Sequence, residues 1–168
     1  RGRMLHTSFG AASLFAVFEQ RVGDVSQAAV VKFPVKGFES GIHRARFAPH
    51  DGQLYVCGLK GWQSRAVRDG SLARVRYTGK PVTIAIGSRV EKDAITLEFA
   101  QPLDRACAED TQNYAGEQWN YIWHATYGSP DVSPSNPKKI GRDVVEIQSA
   151  KVSPDGRSVT LTISGLKP

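Results

Sequence analysis

"VVEIQSAKVSPDGRSVTLTISGL", residues 144–166, decides the fold class. Apolar and polar residues alternate on both sides of a Pro-Asp-Gly, and a period of two puts every second side chain on one face of a strand. Gly156 supplies the positive φ that a tight hairpin needs, and Asp155 can bond the backbone N–H groups just ahead of it. The segment therefore reads as strand, turn, strand, with one apolar face. Working outward, the same pattern recurs in "RMLHTSF", "ASLFAVFEQ", "AAVVKFPV", "HRARFAP", "QLYVCGL", "LARVRYT", "VTIAIGSRV", "AITLEFA" and "NYIWHATY". Helical periodicity is almost absent, so an all-β chain is expected.

Two further Asp-Gly pairs, in "PHDGQ" (49–53) and "RDGS" (68–71), lie between alternating runs. They predict consecutive antiparallel strands over 43–79, with turns at Asp51-Gly52 and Asp69-Gly70. The grammar changes near "YTGKPVTIAIGS". Before it the strands are short and Gly-rich with arginine on the polar face; after it they are longer and the turns different. The expected division is 1–86 and 87–168.

The chain has 168 residues, 40% hydrophobic and 23% charged, with a net charge of +6. These are ordinary globular values, and no apolar run is long enough for a membrane helix. "HRARF" and "SLARVRY" place arginines at alternate positions, as on solvated strand faces. A nucleic-acid partner is not expected, because the arginines do not form a stripe interleaved with exposed aromatics. The start "RGRML" has no initiator Met and reads as an internal or processed piece.

Cys57 and Cys107 allow one disulfide, although Cys57 in "LYVCGL" also fits a buried free thiol. Neither belongs to a CxxC, so zinc and attached haem are unsupported. His6, His43, His50 and His124 show no metal-ligand spacing. Asp51 and Asp155 are turn residues first, and no GxSxG elbow is present. No catalytic residue is assigned, and no complete active site is visible. Trp62 in "GLKGWQ" stands beside Gly58 and Gly61, which permit close backbone approach around a large ring, so a buried place or one at a blade interface is expected.

"EQWNYIWHATYGSP", residues 117–130, leaves two readings open. On a strand, Trp119, Tyr121 and Trp123 share one face, and Asn120, Ile122 and His124 the other. Three rings on one face make either the core of a small sandwich or an exposed platform for sugar, with Tyr127 beside it. The core or inter-domain reading expects at least one of Trp119 and Trp123 to be mostly buried, in the sandwich core or between the sandwich and the blades. The Pro-, Ser- and Gly-rich loop "YGSPDVSPSNPKKIG" that follows has a length common in functional loops.

"ITLEFAQPLDRACAEDTQNY" followed by "VVEIQSAKVSPDGRSVTLTISGLKP" resembles the bacterial Ig-like domains of surface and secreted proteins. That likeness implies a sandwich lacking its last strand, since family members continue past the position of "LKP". "GRMLHTSFG", "SGIHRARFAPHDGQLYVCGLKGWQ" and "DGSLARVRYTGKPV" resemble the closing blades of a β-propeller. The relatives are large secreted bacterial proteins with a propeller similar to glucose and sorbosone dehydrogenases, often fused to a c-type haem segment. The resemblance implies a secreted or periplasmic fragment whose partners are the other blades and domains of its parent. A c-type haem or quinone would belong to that parent, not to this chain. Arg3 and His6, in the first blade segment, would then face the propeller channel.

Overall fold

The computed structural model describes residues 3–167. Arg1, Gly2 and the continuation expected beyond Pro168 lie outside the described residues. The chain is all-β, with four small antiparallel sheets, none of them closed. It divides into two compact units, Arg1–Ile86 and Gly87–Pro168.

The first unit contains two three-stranded meanders. One is β1 (Met4–Ser8), β2 (Ser13–Val22) and β3 (Val25–Lys32); the other is β4 (Gly41–Phe47), β5 (Leu54–Leu59) and β6 (Gly70–Val75). Leu14, Ile42, Leu54 and Val56 are buried together, packed by Leu5, Phe33, Phe38, Ala45, Ala73 and Val75. The alternation in "GIHRARF" cannot do this unaided, because Ile42, Arg44 and Arg46 would share a face. The register shifts between Ile42 and Arg44, so Ile42 pairs Gly58 while Arg44 pairs Cys57. The extra residue, His43, is a bulge that sends Ile42 and Ala45 inward and both arginines outward.

Asp51-Gly52 forms the expected turn between β4 and β5. Gly52 has φ of 66°, Ala48 N–H donates to the Gln53 carbonyl at 2.9 Å, and Asp51 accepts from Gln53 N–H at 2.9 Å. Asp69-Gly70 does not form a turn. Gly70 opens β6, and the connection from β5 runs through residues 60–69, closed by Lys60 N–H on the Asp69 carbonyl.

Trp62 is 74% exposed, which overturns the expectation that it is buried. The close approaches that the nearby glycines allow involve other groups. A Cβ on Gly61 would lie 2.8 Å from Phe9 Cζ, and one on Gly58 would lie 2.1 Å from the Gly41 carbonyl oxygen. The ring accommodated is that of Phe9. Cys57 is also exposed rather than buried, since it lies on the outward face of β5, and both thiols are free.

The second unit contains β7 (Ala85–Glu91, which begins in the first), β8 (Ala94–Phe99), the short helix α1 (Arg105–Glu109), β9 (Gly116–Gln118), β10 (Asp143–Val145), β11 (Ile147–Val152) and β12 (Ser158–Ile163). The main sheet has the order β11-β12-β8-β7, and β9 pairs β10 in a separate ribbon. Val159, Leu161 and Ile163, at alternate positions of β12, are buried with Val145, Val152 and Ala108. On the opposite face Thr96 and Thr160 bond across the strands at 3.0 Å. The helix in "PLDRACAED" was not evident from periodicity, because it is little more than one turn. Its signal is the cap: Asp104 accepts from Cys107 N–H at 2.8 Å. The "NY" that follows ties it down, with Tyr114 Oη donating to the Ala108 carbonyl at 2.7 Å. Burial raises the Tyr114 phenol above its ordinary range. Asp155-Gly156 makes the β11–β12 turn, with Gly156 at φ 74° and Asp155 accepting from Ser153 Oγ and Arg157 N–H.

Gly58→Ala is expected to cost about 1–3 kcal/mol, because the new methyl meets backbone rather than a mobile side chain. Gly61→Ala should cost less, since the Phe9 ring can shift. Urea denaturation of both variants checks the order.

Candidate functional site

The β9–β10 ribbon ends where Gln118 pairs Asp143. Beyond it the chain makes a long excursion, from Trp119 to Gly141, carrying the four rings singled out from the sequence. The strand expected over "NYIWHATY" does not form. Asn120 makes one bridge to Val132, with both N–H···O bonds at 2.8 Å, and Val132 makes one to Ile140. A strand needs a partner with free N–H groups, and the returning segment carries Pro130, Pro134 and Pro137, which have none. Side chains satisfy the backbone instead. Tyr121 N–H donates to Asn120 Oδ1 and Ile122 N–H to Ser129 Oγ, each at 2.8 Å.

The base of the loop is firmly anchored. Val132 and Ser133 are buried. Ser135 N–H donates to Asp143 at 3.0 Å, and Asn136 N–H to Ser133 Oγ at 2.9 Å. Gln118 donates to the Gly165 carbonyl and accepts from Lys167 N–H, both at 3.0 Å. Arg142 is the central brace. Its Nε donates to Asp131 at 2.7 Å and its Nη1 to Glu117 at 3.2 Å. Its guanidinium lies 3.9 Å from the Trp119 ring centroid. The hydrogen bond to Asp131, then that to Glu117, raises the Arg142 pKa above its already high value.

The rings on this base are open. Trp119 is 50% exposed, Tyr121 64%, Trp123 89% and Tyr127 93%. Neither tryptophan is mostly buried, which corrects the expectation that a sandwich core would claim one. Trp119 and Trp123 do not share a strand face either, since no strand spans them. No ring–ring contact joins the four among the described residues. His124 accepts or donates only locally, 2.6 Å from Thr126 Oγ1.

Sequence reasoning missed Arg142. Its proximity to Trp119 follows from the register that sets Asp143 opposite Gln118, and "IGRDVV" by itself carries no sign of that pairing. Arg3 and His6 belong to the first unit. The Arg3 guanidinium lies 5.9 Å from the Phe18 ring centroid and donates to the Ile86 carbonyl. His6 stands opposite Phe15 in the β1–β2 ladder, with ring centroids 5.8 Å apart.

Among the described residues no three His, Cys, Asp or Glu side chains are grouped to hold a metal ion. No described helix is long and apolar enough to cross a membrane. The loop can therefore offer apolar ring surface, hydroxyls and an indole N–H on a fixed base. No family model matches the chain, and no curated protein or solved structure matches it.

Arg142→Ala should make Trp119 more accessible to acrylamide, because the guanidinium over the ring and its two ion pairs are lost together. Equal quenching of the variant and the parent would show that the guanidinium does not order the indole.

The Asp143 carboxyl is held below its ordinary 3.8 by the Ser133 hydroxyl first, then by the Ser135 amide. Asp51 and Asp155 are depressed in the same direction, by the Gln53 amide and the Ser153 hydroxyl respectively. A folded pKa below the unfolded one gives a contribution that is present above the ordinary carboxylate range and lost as pH falls through the depressed value. The melting temperature should therefore drop as pH falls below the ordinary carboxylate range, and Asp143→Asn should make that drop shallower. An unchanged slope in the variant would exclude a linked role for Asp143.

Proposed function

We propose that the chain is a structural and interaction module of a secreted or periplasmic multidomain protein, and that the lobe 119–130 is its contact element. The observation that carries this reading is the exposure of Trp123 and Tyr127, at 89% and 93%, on a loop whose base is braced by Arg142. Large rings on a fixed support bring contact area at little cost in conformational entropy, and such rings commonly anchor interfaces. The rings make no contact with one another, which suits separate anchors on a protein surface better than one continuous sugar platform.

The nature of the parent rests on the resemblance of "SGIHRARFAPHDGQLYVCGLKGWQ" and "ITLEFAQPLDRACAEDTQNY" to propeller and Ig-like segments. The two three-stranded meanders of the first unit and the four-stranded sheet of the second are compatible with blades and a sandwich. On this reading the parent acts in oxidative sugar or polysaccharide metabolism, and any c-type haem or quinone is held by its other domains. The loop's partner is a neighbouring domain of that parent.

A second reading, a carbohydrate-binding module, is favoured by one feature. Trp119 is half exposed and already held by Arg142, so its open face needs no further ordering to receive a sugar ring.

A variant with Trp62→Phe and Trp119→Phe leaves Trp123 as the sole indole. Its acrylamide quenching should be high in the 168-residue chain and should fall when the chain is part of the longer parent polypeptide. Neutral polysaccharides should not shield the indoles of a Trp62→Phe chain that keeps both Trp119 and Trp123. Shielding of Trp119 and Trp123 by a neutral polysaccharide in the 168-residue chain would establish the second reading, and full quenching in the parent would overturn the first.

A further inference from the structure

The ladder of the second meander sets Arg46 opposite Tyr55 and Tyr55 opposite Arg74. Residues directly opposite one another share a sheet face, so Arg46, Tyr55 and Arg74 form one row across three strands. Arg44, Cys57 and Leu72 form the next row on the same outward face. The three arginines are exposed, as are Cys57 and Leu72.

These arginines are unbraced. None has a carboxylate within ion-pair distance among the described residues, and the bond that Arg44 makes is to the adjacent His43 carbonyl. The Asp51 carboxylate beside this row accepts from Gln53 N–H and Tyr55 Oη at 2.9 Å, with His50 at 3.6 Å, and feels the Arg74 charge without a close ion pair. Three guanidiniums on one sheet face repel one another and leave their forked donors to solvent, so an anionic occupant would be complementary to them.

We propose that this face binds an extended 1,4-linked uronate chain, with Arg46 and Arg74 each holding a carboxylate and a sugar ring lying on Tyr55. The spacing selects this polyanion. Arg46 and Arg74 stand two strand widths apart, roughly 10 Å, which matches two residues of an extended glycan and hence its alternate carboxylates on one side. Tyr55 lies midway, its hydroxyl fixed by Asp51, as a sugar ring between two held carboxylates requires. At the edge of β4, Arg44 and Arg46 also reach an open cleft of about 350 Å³, lined as well by Ala45 and Leu54 of the inward face and by Leu5 and Thr7 of β1. The face lies wholly in the first unit and uses no residue of the loop 119–142, so it stands or falls independently of the reading given to that loop.

Calorimetric titration of the 168-residue chain with β-1,4-linked oligomannuronate tests the assignment. Saturable binding is expected, weakened about tenfold or more in Arg46→Gln/Arg74→Gln and unchanged in Arg21→Gln, which lies on the other meander. Arg46→Lys/Arg74→Lys should lose part of the affinity, because it keeps charge but not the fork. Neutral β-1,4-linked manno-oligosaccharides should not bind. The proposal is overturned by absence of saturable binding, by full affinity in a folded glutamine or lysine double variant, or by equal binding of the neutral oligomer. It is also overturned if oligodeoxythymidylate of matched charge binds as tightly with the same arginine dependence, which would make the face a phosphate reader.

Discussion

Burial on one face with a period of two is the constraint on which the architecture depends. The sheets are small, so each strand has to commit all of its apolar residues to one side. In β12 this needs no correction, and Val159, Leu161 and Ile163 enter the core in sequence order. In β4 the sequence alternation conflicts with it, because Ile42 shares parity with Arg44 and Arg46. The bulge at His43 removes the conflict by shifting the register once. The fully buried Ile42 and the outward arginines are thus consequences of one extra residue. The bare Gly58 opposite Ile42 lets the two strands approach there, since a Cβ would collide with the Gly41 carbonyl.

A second constraint, that backbone donors and acceptors need partners, explains why the aromatic stretch escapes the sheet. Alternation in "NYIWHATY" is broken only at Ile122. Alternation reports only which side chains would share a face; it says nothing about whether a neighbour can offer hydrogen bonds. Three prolines in the returning segment deny that neighbour, and Asn120 and Ser129 supply local substitutes. The prolines were legible, and read together with the alternation they argue against a strand. The brace at Arg142 was not legible, since it depends on the register of a short ribbon formed by residues far apart in sequence.

The same distinction separates the other readings of the sequence. The turns at Asp51-Gly52 and Asp155-Gly156 were legible because their chemistry is local: a carboxylate, a following N–H and a positive φ. Asp69-Gly70 has the same local chemistry but lies at the end of a longer connection, whose path is set elsewhere, by Arg65 N–H on the Gly10 carbonyl and by Val67 and Arg68 N–H on the Glu39 carbonyl. Gly58 and Gly61 were legible as sites of close approach. That the approaching ring belongs to Phe9 and not to Trp62 follows from the convergence of the loops around residues 9–12 and 60–69, which no short-range pattern encodes.

The distribution of positive charge then divides the arginines by what they do. Arg105 donates to Glu109 and to the Val152 and Ser153 carbonyls, joining α1 to the end of β11. Arg142 spans Asp131 and Glu117, and Arg68 meets Glu39 at 3.3 Å. Each of these guanidiniums spends its fork inside the chain, tying a loop to a strand or to another loop, and its planar geometry explains why lysine would serve poorly there. Arg44, Arg46 and Arg74 have no such use. They are held on one face by the backbone ladder, with no carboxylate in an ion pair with them among the described residues, and the bulge at His43 that buries Ile42 is what turns two of them outward. The packing requirement of the core and the charge of the open face therefore have a single structural origin.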